Sequence, residues 1–141
     1  MSDWTEHEMV GICCLSECGN NPHEWPYIAQ VIYNRVRSPK FPDTVCKVIL
    51  QPYQFSAFND DEGFDDVVAG WGPGTIQAAV ACAQWVSYSN IQQLPILPPT
   101  VLHFWSPQSM QPRWSAPSWA SGMKWIVPPG IDSRRFIFGE G

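Results

Sequence analysis

The sequence predicts a single, mainly helical domain. Apolar residues recur at helical spacing in three separate stretches, which is the pattern of helices that bury one face. The chain has 141 residues, enough to form one hydrophobic core. Neither an internal repeat nor a domain linker interrupts it, so we expect one domain over residues 1–141.

A capping box formed by Thr5 and Glu8 begins the first predicted helix, and Gly19 supplies the left-handed residue that ends it. Four residues of this helix follow one another at i, i+3, i+4 and i+7 and therefore share a face: Val10, Cys13, Cys14 and Glu17. A carboxyl at the end of an apolar stripe resists ionisation, as a general acid working near neutral pH requires. Glu17 is therefore a candidate catalytic acid, and the alternative is a solvated glutamate at a helix end.

Three further helices are predicted after this one. The second begins near residues 23–26 and ends at Arg37, and a short helix over Val45–Leu50 follows an irregular link. A longer helix covers about residues 75–89. Between them, the acidic stretch Asn59–Gly63 is predicted to be an exposed loop.

Charge and hydropathy exclude several classes of protein. The net charge is -5 and basic residues form no stripe, which argues against a nucleic-acid partner. No apolar run approaches the roughly 20 residues of a membrane-spanning helix. The sequence starts without a basic segment followed by an apolar one, so we expect synthesis in the cytoplasm without a signal peptide. No motif indicates a cofactor.

The five cysteines do not form a disulfide framework, and reduced, mostly buried thiols are expected. Cys14, Cys18 and His23 form a conceivable zinc site, but no second ligand pair supports them, and we expect no metal. A Cys–His hydrolase that uses Cys18 beside His103 or His23 is a separate alternative without a local signature.

Two stretches carry a resemblance to a known family. The chain reads Asn-Arg-Val-Arg-Ser-Pro-Lys-Phe-Pro-Asp-Thr over residues 34–44 and Gln-Pro-Tyr-Gln-Phe-Ser-Ala-Phe over residues 51–58. Together they resemble the SleB-like cell-wall hydrolases, which are spore-cortex-lytic enzymes and their phage relatives. Glu17 occupies the position of that family's catalytic Glu. The family usually shows Glu-Ala-Arg-Gly-Glu, whereas residues 17–21 read Glu-Cys-Gly-Asn-Asn, so the turn is shorter and lacks the second Glu.

The resemblance implies a lysozyme-like fold with a small β element, that is, a mainly α (α+β) single domain. Val101–Pro107 is similar to the family's aromatic segment, and Arg134–Phe138 is similar to its closing strand. We expect these two segments to pair as a small sheet, with a long loop over Gln108–Pro129 between them.

The resemblance also implies which residues bind substrate. Gln54, Phe55 and Ser56 would line the sugar groove, with His103 in its wall, and Tyr33 is a further candidate. The alternative is that Phe55 is buried, that its neighbours bond the loop's own backbone, and that His103 is structural. Tryptophans crowd the last third, where they can stack on sugar rings or simply pack in the core: Trp105, Trp114, Trp119 and Trp125.

Glycoside hydrolysis usually needs two carboxylates, and the sequence offers one well-placed acid. Lytic transglycosylases, to which the SleB-like family is assigned, work with a single Glu. The resemblance therefore implies cleavage of peptidoglycan strands by a lytic transglycosylase, with a hydrolytic muramidase on the same fold as the nearest alternative. The altered turn after Glu17 favours a third reading, a non-catalytic virion or wall-binding module. We expect a phage-encoded monomer, released with a holin or carried by the virion.

Overall fold

The computed structural model describes residues 4–51, 55, 58, 62–91 and 96–141. The helices within these residues are α1 (Glu6–Cys18), α2 (Trp25–Arg37), α3 (Val45–Ile49), α4 (Glu62–Ala69) and α5 (Pro73–Ile91). The strands are β1 (Val101–Trp105), β2 (Lys124–Ile126) and β3 (Ile137–Glu140), and short 3-10 helices cover Pro107–Ser109 and Ser118–Ala120. The predicted fold class, mainly α with a small β element, is confirmed.

Helix α1 begins with the predicted capping box. The Glu8 amide donates to Thr5 Oγ1 at 3.3 Å, and the Thr5 amide donates to Glu8 Oε1 at 2.8 Å. At the other end Gly19 has a φ of 66°, and its amide donates to the Leu15 carbonyl at 2.8 Å. The two caps determine where the helix begins and ends, and the C-terminal one places Glu17 in the last turn.

Helix α1 packs closely against α5, because Gly11 has no side chain. A Cβ atom at Gly11 would lie 2.8 Å from the Cα and backbone nitrogen of Val80, which are backbone atoms that cannot turn aside. The apolar face predicted for α1 is buried as well, with Val10, Cys13 and Cys14 at most 1 % exposed. The helix that carries Glu17 therefore has a fixed position in the core.

Helix α2 holds strand β1 through two buried side chains. The Asn34 amide donates to the carbonyls of Pro98 and Val101, each at 3.0 Å, and Gln30 Nε2 donates to Asn34 Oδ1 at 2.8 Å. Arg35 Nε donates to the Leu102 carbonyl at 2.7 Å. The Asn-Arg pair of the sequence motif thus joins the helical part of the fold to the sheet.

The three strands form an antiparallel sheet in the order β1-β3-β2. Phe104 of β1 pairs with Phe138 of β3, so the expected pairing of these two segments is confirmed. Two details of the prediction are wrong. Strand β2 lies inside Gln108–Pro129, where the sequence predicted a loop, and β3 begins at Ile137 rather than at Arg134.

The acidic stretch Asn59–Gly63 was also predicted incorrectly where the structure describes it. Glu62 and Gly63 begin helix α4, and the next residue, Phe64, is fully buried. The helix forms because Phe64 anchors it in the core, while Glu62 and Asp65 place negative charge in its first turn.

Among the described helices, none combines the length and apolar content that crossing a bilayer requires.

Candidate active site

A cleft of about 1150 Å³ opens between the end of α1 and the sheet. Glu17 and Cys18 form one side, Arg35 and Phe41 lie at its base, and β1 with the following 3-10 helix forms the opposite wall. Trp119 and the pair Arg135–Phe136 complete the lining. The volume slightly exceeds that of typical small-molecule sites, which suits a polymeric ligand.

Glu17 is partly buried at the edge of this cleft, in the last turn of α1. Burial raises the pKa of its carboxyl from 4.5 to about 7, and the positive charge of Arg35 opposes that shift. A carboxyl with such a pKa is substantially protonated near neutral pH and can also be deprotonated there. The group is therefore able both to give a proton and to take one back.

Arg35 also lines the cleft, although it was not among the site residues predicted from the sequence. It is 4 % exposed, and its guanidinium carbon lies 4.8 Å from the ring centre of Phe41 and 5.6 Å from that of Phe55. Burial lowers the pKa of the guanidinium to about 10, while the charge of Glu17 favours its protonated form, so Arg35 is cationic at neutral pH. Its position in the Asn-Arg-Val motif was the available signal.

His103 lies on β1 and lines the cleft, while its contact with substrate stays a prediction. Its ring centre is 5.2 Å from that of Trp119 and 5.9 Å from that of Phe41. Partial burial, together with the charges of Arg35 and Lys40, holds the pKa of the imidazole below its usual value. The ring is therefore neutral near pH 7, and it can both donate and accept a hydrogen bond to a sugar hydroxyl.

Glu24, the next acid along the chain, is held in a buried ion pair. It is 1 % exposed, and Arg135 donates to its two carboxylate oxygens at 2.6 and 2.9 Å. A third bond, from Arg135 Nη2 to the Cys18 carbonyl at 3.3 Å, ties the same guanidinium to the end of α1. This bidentate pair fixes the turn after Glu17 to the segment before β3, which also lines the cleft.

Two predicted substrate-binding residues lie away from the cleft surface. Phe55 is 1 % exposed and packs below the floor, with its ring centre 6.0 Å from that of Phe104, so its role is to support Arg35 and the sheet. Tyr33 does not line the cleft. Its hydroxyl lies 2.7 Å from Nδ1 of His7, so it connects α2 to the start of α1. Gln54 and Ser56 lie outside the described residues.

The alternatives that used cysteine are not supported by the geometry. Cys18 lines the cleft, but burial and the nearby charge of Glu24 raise the pKa of its thiol strongly, which disfavours the nucleophilic thiolate. The proposed ligands Cys14, Cys18 and His23 do not form a cluster, and the described parts of the chain contain no group of three His, Cys, Asp or Glu side chains that could hold a metal ion.

A comparison with protein-family models matches residues 23–124, more than half of the chain, to a family described as Cell Wall Hydrolase. The chain therefore belongs to the class of cell-wall hydrolases, enzymes that degrade peptidoglycan. Within that class it is a member of the SleB-like family. Glu17 precedes the matched residues, and Arg135 follows them. Neither the curated proteins nor the solved structures that were compared include a match to this chain.

Proposed function

We propose that this cell-wall hydrolase is a lytic transglycosylase that cleaves the bond between N-acetylmuramic acid and N-acetylglucosamine, with Glu17 as its acid and base. One observation carries the proposal. Among the described residues that line the cleft, Glu17 is the one carboxyl, and the other charged groups are the cations Arg35 and Arg135. A hydrolase with two catalytic carboxylates would need a partner for Glu17 across the scissile bond.

In the first step protonated Glu17 donates its proton to the glycosidic oxygen, and the bond from that oxygen to C1 of the muramic acid breaks. The remaining carboxylate is stabilised by the positive charge of Arg35, which also favours its ionised form. In the second step this carboxylate takes the proton of the C6 hydroxyl while that oxygen bonds to C1. The product is a 1,6-anhydromuramic end, and Glu17 regains its proton without a second acid.

The two steps make opposite demands on the pKa of Glu17. Burial favours the protonated carboxyl, which the first step requires. The positive charge of Arg35 stabilises the carboxylate, which the second step requires. A pKa of about 7 lies between these demands. General acid–base catalysis is most effective when the pKa of the group lies near the working pH.

Substrate contacts are proposed for His103, Gln54 and Ser56. His103 is supported by its place in the cleft wall beside Trp119. The assignment of Gln54 and Ser56 rests on the sequence resemblance alone. Alanine at either position should lower activity, because it removes a hydrogen bond to the sugar worth roughly 0.5–1.5 kcal/mol. Stability should change by less than about 0.5 kcal/mol, as for a surface substitution, and a large loss of Tm would make these residues structural instead.

Mass spectrometry of digested peptidoglycan tests the reaction type. We expect muropeptides with 1,6-anhydromuramic ends and none of the reducing muramic ends that water would produce. Reducing ends alone would identify a muramidase, in which Glu17 activates water instead of the C6 hydroxyl. No new ends of either kind would identify a non-catalytic module, the reading favoured by the shortened turn Cys18–Asn21.

The biological setting is a separate proposal. A phage origin, release with a holin or delivery by a virion, and a monomeric state stay predictions of the sequence analysis. Size-exclusion chromatography with light scattering would test the monomer directly. Lysis of cells by the protein added from outside, compared with lysis after expression inside them, would test how the enzyme reaches the wall.

A further inference from the structure

Four aromatic rings form a continuous row that starts in the cleft and ends outside it. In order, the row contains His103, Trp119, Trp105 and Trp125, and its successive ring centres are 5.2, 5.7 and 5.1 Å apart. The first three residues line the cleft. Trp125 lies on β2, beyond the cleft lining, so the row leads outward from the wall that faces Glu17.

Packing explains only one of the three tryptophans in this row. Trp105 is 6 % exposed, whereas Trp119 is 46 % and Trp125 is 51 % exposed. A tryptophan that serves the core buries most of its ring. Two half-exposed indoles that both contact Trp105 instead present apolar surface to solvent. Exposed apolar patches on soluble proteins often mark binding sites.

The exposed rings are held in place before any ligand arrives. Trp119 and Trp125 both pack edge-on against Trp105, with interplanar angles of 89° and 80°. Trp125 Nε1 also donates to the carbonyl of Ala120 at 3.2 Å, and Ala120 is fully buried. Rigid rings lose little conformational entropy when a ligand binds, so the arrangement suits recognition by stacking.

We propose that Trp119 and Trp125 form a sugar-stacking surface that binds the glycan strand beyond the bond being cut. The proposal rests on the proposed function, because it takes the occupant to be the strand whose scissile bond lies at Glu17. Continuity with the cleft favours that occupant: a strand leaving the site along the wall meets Trp119 first and Trp125 next. The apolar C–H face of a pyranose ring stacks on an indole without needing charge.

The consequence is a preference for long strands. A short fragment that fills the cleft would contact Trp119 but would end before Trp125, whereas a polymer would contact both. Trp125 should therefore contribute to the binding of intact peptidoglycan and contribute nothing to the cleavage of short fragments.

Co-sedimentation with insoluble peptidoglycan measures binding without cleavage if every variant also carries Glu17→Gln. We expect Trp119→Ala and Trp125→Ala each to weaken binding by roughly 2- to 13-fold, as the loss of one stacking contact implies. Trp119→Phe, which keeps a flat ring, should lose less. The matched control is Trp85→Ala, because Trp85 is 55 % exposed on α5 and does not line the cleft, and its binding should not change.

With Glu17 intact, Trp125→Ala should raise the KM for polymeric peptidoglycan while leaving kcat and the cleavage of short fragments unchanged. The proposal would be overturned if, in the Glu17→Gln background, Trp125→Ala left peptidoglycan binding unchanged. It would also be overturned if Trp85→Ala weakened binding as much as Trp125→Ala. Unchanged wall binding with an altered oligomeric state would also overturn it and assign the surface to a second copy of the chain. The wild type could bind peptidoglycan without cleaving it, while Trp119→Ala and Trp125→Ala weaken that binding. This result would refute the proposed reaction and support the sugar-stacking surface.

Discussion

Glu17→Gln separates the catalytic role of Glu17 from its effect on stability. Glutamine keeps the length and shape of the side chain but can neither donate an acidic proton nor take one back. Both proposed steps then lose their proton transfer, and activity on purified peptidoglycan should fall by at least about 10²–10⁴-fold, the usual contribution of general acid–base catalysis. Turbidity loss of a peptidoglycan suspension measures this directly.

The same substitution should stabilise the fold, and by an amount that depends on pH. The carboxyl of Glu17 has a pKa of about 7 when folded, against an ordinary value of 4.5. Between these values the folded state binds more protons than the unfolded state, so the stability of the wild type falls as pH rises through this range. At about 1.36 kcal/mol per pH unit the full difference is roughly 3 kcal/mol.

Because the carboxyl opens to the cleft, solvent reduces this figure, and we expect Glu17→Gln to gain about 1–2 kcal/mol at pH 8 and little at pH 4. Urea unfolding at the two pH values measures the gain. Glu6→Gln is the matched control, because it is the same chemical change at an exposed position in the first turn of the same helix. Wild-type activity in Glu17→Gln, or a stability difference that does not vary with pH, would refute the reasoning.

Three further outcomes are expected. The kcat/KM of the wild type should decline as pH rises through about 7, because Glu17 must enter the reaction protonated, and a profile that keeps rising to pH 9 would contradict this role. Gly11→Ala should destabilise the fold by about 1–3 kcal/mol in urea unfolding, because its methyl group would lie 2.8 Å from the Val80 backbone. Glu24→Gln should cost about 1.5–3 kcal/mol through weakened bonds to Arg135, yet reduce activity far less than Glu17→Gln. Activity equal to that of Glu17→Gln would make Glu24 part of the chemistry.

The helices with local signals could be predicted from the sequence. Thr5, Glu8 and Gly19 mark both ends of α1 in adjacent residues, and the apolar spacing placed Glu17 on the buried face, where the structure has it. The predicted loop Asn59–Gly63 overlaps the start of helix α4, because a run of acidic residues by itself is typical of an exposed loop. Acidic residues before a buried aromatic also fit a helix start, so Phe64 was the signal that could have corrected the prediction.

Although the β1–β3 pairing was predicted, the side-chain contacts that complete the cleft could not be, because they join residues distant in sequence. Arg135 reaches Glu24 at a separation of 111 residues, and no local pattern pairs these two charges. Strand β2 lies in a stretch rich in proline and serine, and its pairing with β3 supplies the order that its own composition lacks. Trp125 lies on this paired strand, and the sequence alone does not distinguish the exposed Trp119 and Trp125 from the buried Trp105.

The contact of Arg135 with the turn after α1 has a consequence for folding order. Its bonds to Glu24 and to the Cys18 carbonyl span 111 and 117 residues, so they close among the longest loops that this chain can form. Long-range contacts of this kind raise contact order and form late, whereas α1 and α2 can form from neighbouring residues. A nascent chain that has emerged only as far as α5 would already carry Glu17 without the opposite wall. Catalytic competence should therefore appear abruptly, with the last residues to fold.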